Sequence, residues 1–312
     1  MFSNSRIWLC LCCIAALAAC NTRKQVVNDA KKLGFTYNYC TPTVAYLQSP
    51  RLWLDSPVVD LSPTGISEHD QLVCHILGIS NQVDSLWLMN QGKITKSANR
   101  YLLLKQSITG RLITAQSQLQ AVAAELDCEG ERSNLAAGYL DNINNRRKTN
   151  LTVASVITGA FTTVATVLIT KQTPQTIIGI SGGLLSAGLG ALTINPKGKK
   201  IEFYHERNLL RTIWTEPAAN QDYPYFVWRM LHEKRFSNKG DITLSQSIRN
   251  RWMQFEFDGK ITKKDEALFF GNGGFYHADD LHTRTAMINQ LQSTIRSFYQ
   301  DLSSFIVLAE NK

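Results

Sequence analysis

The sequence predicts a mostly α-helical fold: an elongated helical bundle with a long central helix, an apolar Gly-rich helical hairpin and a C-terminal heptad helix. Three observations carry that expectation. Apolar residues recur at spacings of three and four from Ile94 to Leu151 with no proline between them, which is the period of an amphipathic helix. Two uncharged stretches, 151–170 and 177–194, follow on either side of a polar turn containing Pro174. Near the end Ile288, Leu291, Ile295, Phe298, Leu302 and Phe305 alternate steps of three and four, a heptad seam.

Composition supports a folded chain. Of 312 residues, 44% are apolar and 19% charged, with 33 Lys plus Arg against 25 Asp plus Glu and a net charge of +8. Ordinary hydrophobicity with few charges excludes a disordered chain. Nineteen glycines are too few for a collagen repeat, and seven cysteines are too sparse for a small disulfide scaffold. The length allows two or three domains at roughly 100–200 residues each.

The first element is an apolar run of thirteen residues, Ile7 to Ala19, behind the single charge of Arg6. A spanning helix needs about 20 residues, whereas this length with a basic flank suits a secretory h-region. The run ends in Leu17-Ala18-Ala19-Cys20, which resembles the lipobox of bacterial lipoproteins. The resemblance covers the first twenty residues and no specific family is recognised for the mature chain. It implies a signal peptide at 1–19, cleavage before Cys20, and diacylglycerol with further acylation on Cys20. Two or more acyl chains, at about 0.8 kcal/mol per buried methylene, give stable anchoring. Asn21 follows the cysteine where inner-membrane retention would have Asp, which favours the outer over the inner membrane of a bacterial envelope with that sorting rule. With Cys20 acylated, Cys40, Cys74 and Cys128 remain, so one intrachain pair can form. An envelope compartment permits it. Cys40 and Cys74, nearest in sequence, are the candidate pair, although spacing does not establish geometry; the alternative is small buried thiols.

Residues 20–93 read as a small N-terminal unit. A short helix from Asn21 or Thr22 should stop at Gly34, and prolines at 42, 50, 57 and 63 keep 35–66 irregular. Ser67-Glu68-His69-Asp70 starts a helix with Leu72, Ile76 and Ile79 on its apolar face, and Trp53, Leu54, Trp87 and Leu88 supply packing. Residues 94–150 form the long amphipathic helix, or two helices in line, with Gly110 and Gly130 as weak points. The C-terminal helical region is 195–312. It has aromatic helical stretches at Tyr223–Leu231 and Leu244–Phe257, a turn at Gly271-Asn272-Gly273-Gly274, and Asp279 and Asp280 at the heptad helix's N-terminus, favourable against its dipole.

The stretch 151–194 is the hydrophobic hairpin. Arg146, Arg147 and Lys148 precede it, and Lys197, Lys199 and Lys200 follow. Gly179, Gly183, Ala187 and Ala191 stand at strict four-residue spacing, a membrane or packing face of glycine-zipper type. Gly182, Ser186 and Gly190 form a neighbouring row, and Ser155, Gly159 and Thr163 repeat the spacing on the first arm. Small residues at that interval let helix backbones approach closely in lipid. Both arms are long enough to reach across the hydrocarbon. Against permanent spanning stand six threonines in 151–170, β-branched content that also suits a strand, and basic flanks outside the inner membrane, contrary to the positive-inside rule. That rule does not govern an outer membrane. The alternative is a hairpin buried in a soluble helical domain.

No catalytic constellation stands out. Gly179-Ile180-Ser181-Gly182-Gly183 matches the nucleophile elbow G-x-S-x-G, with Asp222, Asp241 or Asp258 and His277 or His282 following in order. The elbow, however, needs a strand before it, and the preceding region reads as helix. His277-Ala278-Asp279-Asp280-Leu281-His282 gathers metal-type ligands without a recognised metal motif, and the GNGG turn lacks the Lys-Ser/Thr of a phosphate loop. Neither a metal nor another cofactor is implied. The positive charge forms no dense run, so no nucleic acid is expected, and in an exported chain it faces anionic lipid or polysaccharide. The expectation is a non-enzymatic envelope lipoprotein, structural or interactive. Its expected partners are the lipid membrane, other envelope proteins, or further copies of itself through the hairpin. A membrane-inserting effector, like the α-helical pore formers in architecture alone, is the alternative, and a hydrolase using Ser181 is the outsider.

Overall fold

The computed structural model describes residues 34, 37–43, 45–46, 66–95, 97–194, 198–217, 220, 222–237 and 240–311, with backbone alone for 307–311. The lipobox with Cys20, the helix expected before Gly34, and Trp53 and Leu54 lie outside the described residues. The described chain is mostly helical, with a long central helix and a C-terminal helix. In order its elements are α1 Glu68–Leu77, α2 Ser80–Asn90, α3 Ala98–Leu168, α4 Gln172–Leu192, β1 Ile201–Tyr204, α5 Leu209–Thr215, α6 Tyr225–His232, α7 Leu244–Phe255, α8 Lys263–Phe270, β2 Gly273–Tyr276 and α9 Ala278–Asn311. Two compact units emerge. One holds Arg132–Tyr204 and Gly274–His282 with the described residues up to Tyr37; the other holds Asn38–Glu131, His205–Gly273 and the chain from Thr283.

Helix α3 is a single element of 71 residues. It contains both the amphipathic stretch and the first uncharged arm, so that arm is its continuation and not a separate helix. Gly110 and Gly130 do not break it. A helical glycine costs about 1 kcal/mol against alanine, and at Gly130 packing offsets it. A Cβ on Gly130 would lie 3.4 Å from Ile288 Cγ2 and 3.5 Å from Asn289 Oδ1, so the bare Cα lets α9 approach.

In the second unit the expected faces are buried. Leu119, Val122 and Leu126 of α3 are inward, as are Leu72 and Ile76 of α1 and Ile79 beyond it. Ser67 caps α1 by accepting from the Asp70 N–H, and Gly78 ends it with φ +67°, a left-handed conformation that glycine adopts without steric cost. Along α9, Ile288, Leu291, Ile295, Phe298, Leu302 and Phe305 are all buried. The seam meets α3 of the same chain: Gln292 Nε2 donates to Ala123 O and Asp127 Oδ1, each at 3.0 Å. Ile295→Ala should therefore cost roughly 2–5 kcal/mol, seen as a lower urea midpoint at unchanged slope. An unchanged midpoint would contradict the packing.

Charge is buried here too. Arg207 Nε lies 2.6 Å from Glu125 Oε1 and its Nη1 lies 2.9 Å from Asp222 Oδ1. Tyr46 OH donates to Glu125 Oε2 at 2.6 Å. Burial pushes the Glu125 carboxyl up, while bonds from Arg207 and Tyr46 pull it back. Arg284, 1% exposed, reaches Phe269 O at 3.4 Å and Glu129 Oε2 at 3.5 Å. Such pairs are costly to break, because one charge is then left without compensation.

The disulfide corrects the expected pairing. Cys40 bonds Cys128 of α3, with Cα atoms 5.6 Å apart, within the span a disulfide allows. Cys74 is free and buried, on the apolar side of α1. Nearness in sequence did not select the partner; the approach of the Cys40 segment to α3 did. Burial pushes the Cys74 thiol up to about 12, so it is a poor nucleophile.

The first unit contains a two-stranded sheet, β1 with β2, that the helical periodicity did not anticipate. Its sign was local: in Ile201-Glu202-Phe203-Tyr204 the first and third side chains are buried and the fourth exposed, the period of a strand. The GNGG segment supplies a turn and then opens β2. Arg132, fully buried, stacks 4.0 Å from the Phe203 ring centre and donates to Tyr204 O at 2.9 Å. Gly198, at φ +59°, lies against Asn144, whose Oδ1 accepts from Lys199 N at 2.9 Å. A Cβ there would meet Asn144 at 2.3 Å, so glycine is required where the chain leaves the hairpin.

Candidate functional site

The hairpin is built from the end of α3 and α4, all within the first unit. Between Lys148 and Lys197 the only charged residue is Lys171, at the turn. Pro174 sits in the first turn of α4, where its missing N–H has no intrahelical acceptor to forgo. Gln175 Nε2 closes the turn on Thr166 O at 2.9 Å. The uncharged helical lengths, 149–168 and Gln172–Leu192, each reach about 30 Å at 1.5 Å per residue.

The arms pack antiparallel along small residues. Ser155 Oγ donates to Ser186 O at 2.9 Å, and Ser186 Oγ donates back to Ser155 O at 3.1 Å. Gly182 faces Thr162 so closely that a Cβ would come within 2.0 Å of its Oγ1. Gly179 faces Thr166, Gly159 faces Ser186, and Gly190 faces Ser155. Four of the six threonines that weigh against insertion return their hydroxyls to carbonyls of their own helix: Thr152 to Lys148, Thr162 to Thr158, Thr163 to Gly159 and Thr166 to Thr163, at 2.7–2.9 Å. Back-bonding of this kind satisfies a hydroxyl without water.

The expected row needs correction. Gly179 lies at the interface, but Gly183 has nothing within 4 Å, and Gly183, Ala187 and Ala191 are exposed. The row in contact is Gly179, Gly182, Ser186 and Gly190. At 3.6 residues per turn a strict four-residue step drifts about 40° each time. Three such steps turn away from the neighbour, whereas steps of three, four and four stay on it. Gly182→Leu is therefore expected to force the arms apart and expose their hydroxyls, while Gly183→Leu leaves the pairing intact. Cysteine cross-linking of Ser155→Cys with Ser186→Cys in each background checks this, and equal cross-linking would contradict the assignment.

Both arms are bare on their outer sides. No part of the most apolar window of α3 is buried, and only 6% of that of α4. Phe161 is 76% exposed, Val167 77% and Leu184 70%. Among the described residues nothing buries the outer sides of the hairpin. Both helices are long and apolar enough to cross a membrane. A contiguous apolar surface beyond a few hundred Å² is rare on soluble monomers and marks an interaction site.

The other sequence candidates resolve differently. Ser181 lies inside α4, and its hydroxyl donates to Ile178 O at 3.3 Å, so the G-x-S-x-G segment forms no strand-to-helix elbow. His277 and His282 flank the start of α9; His282 Nε2 lies 2.8 Å from Asp141 Oδ2. Among the described residues no group of three or more His, Cys, Asp and Glu could hold a metal ion. The Ser155–Ser186 pair and the Thr162–Gly182 contact had a visible signal, the small-residue spacings, but which rows meet was not written in it. No family model, curated protein or solved structure matches the chain.

Proposed function

We propose that this chain is a lipoprotein of the bacterial envelope, held through acylated Cys20, whose 151–194 hairpin enters a lipid bilayer as a second attachment. The observation that carries the reading is the bare hairpin: two uncharged helices paired along small residues, with apolar side chains on their outer sides. Burying those side chains in lipid supplies the hydrophobic stabilisation that the protein core does not. The role is structural or interactive, fixing the two folded units at a membrane, the outer membrane by the Asn21 reading.

A second reading, a membrane-permeabilising effector, draws on the outward row Gly183, Ala187 and Ala191. Small residues left outside one hairpin suit helix packing between copies in lipid. Vesicle flotation with a dye-release arm tests both. Flotation without release fits the attachment, flotation with release fits the effector, and failure to float even in the unlipidated chain's wild-type hairpin overturns insertion.

The anchor has its own test. Cys20→Ser should abolish labelling by a fatty-acid analogue, because only the thiol accepts the diacylglycerol. Equal label on both proteins would end the lipoprotein reading while leaving the hairpin untouched.

A further inference from the structure

We propose that the pocket at the foot of the hairpin holds the headgroup of a zwitterionic phospholipid carrying a primary ammonium, of the phosphoethanolamine type. The inference rests on the insertion proposed above. The pocket, about 360 Å³, lies where the apolar arms meet the rest of the first unit. Its wall on α3 carries Asp141, Asn145, Lys148 and Leu151, joined by Arg147. Leu192 and Ile194 close it at the end of α4, and Asp279 closes it from the first turn of α9.

The order of these groups matches the order of groups in such a lipid. Residues 141, 145, 148 and 151 follow one face of α3, so the face reads acid, amide, base and apolar in the direction of the bilayer. A phosphoethanolamine lipid presents the matching order from water inwards: ammonium, phosphate, then acyl chain. Asp141 and Lys148 are separated by about 10 Å of helix rise. Long helical side chains lean toward the helix N-terminus, so the lysine ammonium descends toward the acid and the distance shortens. The same lean takes the charge out of the hydrocarbon. Leu151, Leu192 and Ile194 then meet the first methylenes of the acyl chain.

Charge count separates this ligand from an anionic lipid. Arg147 and Lys148 are balanced by Asp141 and Asp279, so the pocket is neutral and two-signed. A phosphate alone would pair with the bases but sit beside two carboxylates. A primary ammonium satisfies them with donors, and a quaternary one, which has no N–H, does not. Asp141 already accepts from His282 through Oδ2, but a carboxylate accepts at both oxygens.

The test uses the full-length chain purified in detergent, with phosphatidylethanolamine, phosphatidylglycerol and phosphatidylcholine added in equal amounts and the retained lipid counted by native mass spectrometry. Phosphatidylethanolamine should be retained roughly ten-fold over phosphatidylcholine, the size of one charge-assisted hydrogen bond. Arg147→Gln with Lys148→Gln should lower retention of all three lipids, which share the phosphate. Asp141→Asn with Asp279→Asn should lower phosphatidylethanolamine and raise phosphatidylglycerol. Equal retention of phosphatidylethanolamine and phosphatidylcholine by the wild type, a preference for phosphatidylglycerol, or indifference to either double change would overturn the proposal. A parallel arm places Phe161→Trp in phosphatidylcholine vesicles with brominated chains and subtracts the wild-type signal. Quenching there without headgroup preference rejects the pocket alone. Absence of quenching rejects insertion, and the pocket with it.

Discussion

Phe161→Lys combined with Leu184→Lys is expected to abolish bilayer association of the hairpin and to leave the thermal melt of the folded units unchanged. Each position is near the middle of its arm, and each side chain is more than two-thirds exposed, at 76% and 70%. Placing a lysine at the centre of a spanning helix costs about 2.5–3.5 kcal/mol on an insertion scale. Two together oppose insertion by roughly 5–7 kcal/mol, enough to reverse any modest partition. In water the same changes remove apolar surface from solvent contact and break no packing, so the melt should hold. The measurement is flotation of the unlipidated chain, which removes the Cys20 anchor from the comparison, beside a calorimetric scan. A lowered melting temperature with unchanged flotation would mean that the arms are packed against protein and that lipid is bound elsewhere.

Loss of the Cys40–Cys128 bridge should produce the largest change in stability. The bond joins residues 88 apart in sequence, and closing a loop of that length removes about 4–5 kcal/mol of unfolded-chain entropy in the chain-entropy account. A domain has only about 5–15 kcal/mol in all. Cys128→Ser, or reduction of the wild type, should lower the urea midpoint sharply. A non-reducing digest should contain the Cys40 peptide linked to the Cys128 peptide. Cys74, buried and with its thiol pushed up to about 12, should resist alkylation until urea opens the unit. Rapid alkylation of native Cys74, or a Cys40–Cys74 peptide, would contradict the pairing.

Some of this architecture could be read from local pattern, because burial of a helix face imposes a period on its own residues. The seam from Ile288 to Phe305, the inward face of α3 from Ile108 to Leu140, and the cap at Ser67 all follow from residues within a few turns of one another. The two uncharged arms are of the same kind: their length and lack of charge are legible without any neighbour. Partnership is a different matter. Cys128 rather than Cys74 bonds Cys40 because the fold brings the Cys40 segment to α3 and leaves Cys74 buried elsewhere. The strict row from Gly179 to Ala191 leaves the interface because 3.6 does not divide four, so Gly182 and Ser186 take its place against Thr162 and Ser155. Arg132, Arg207 and Arg284 carry no local sign of their surroundings in the sequence; each is held by acceptors that come from distant segments. Helical period is set by each residue and its near neighbours; which faces meet is set by the simultaneous packing of all of them, and that choice exists only in the folded chain.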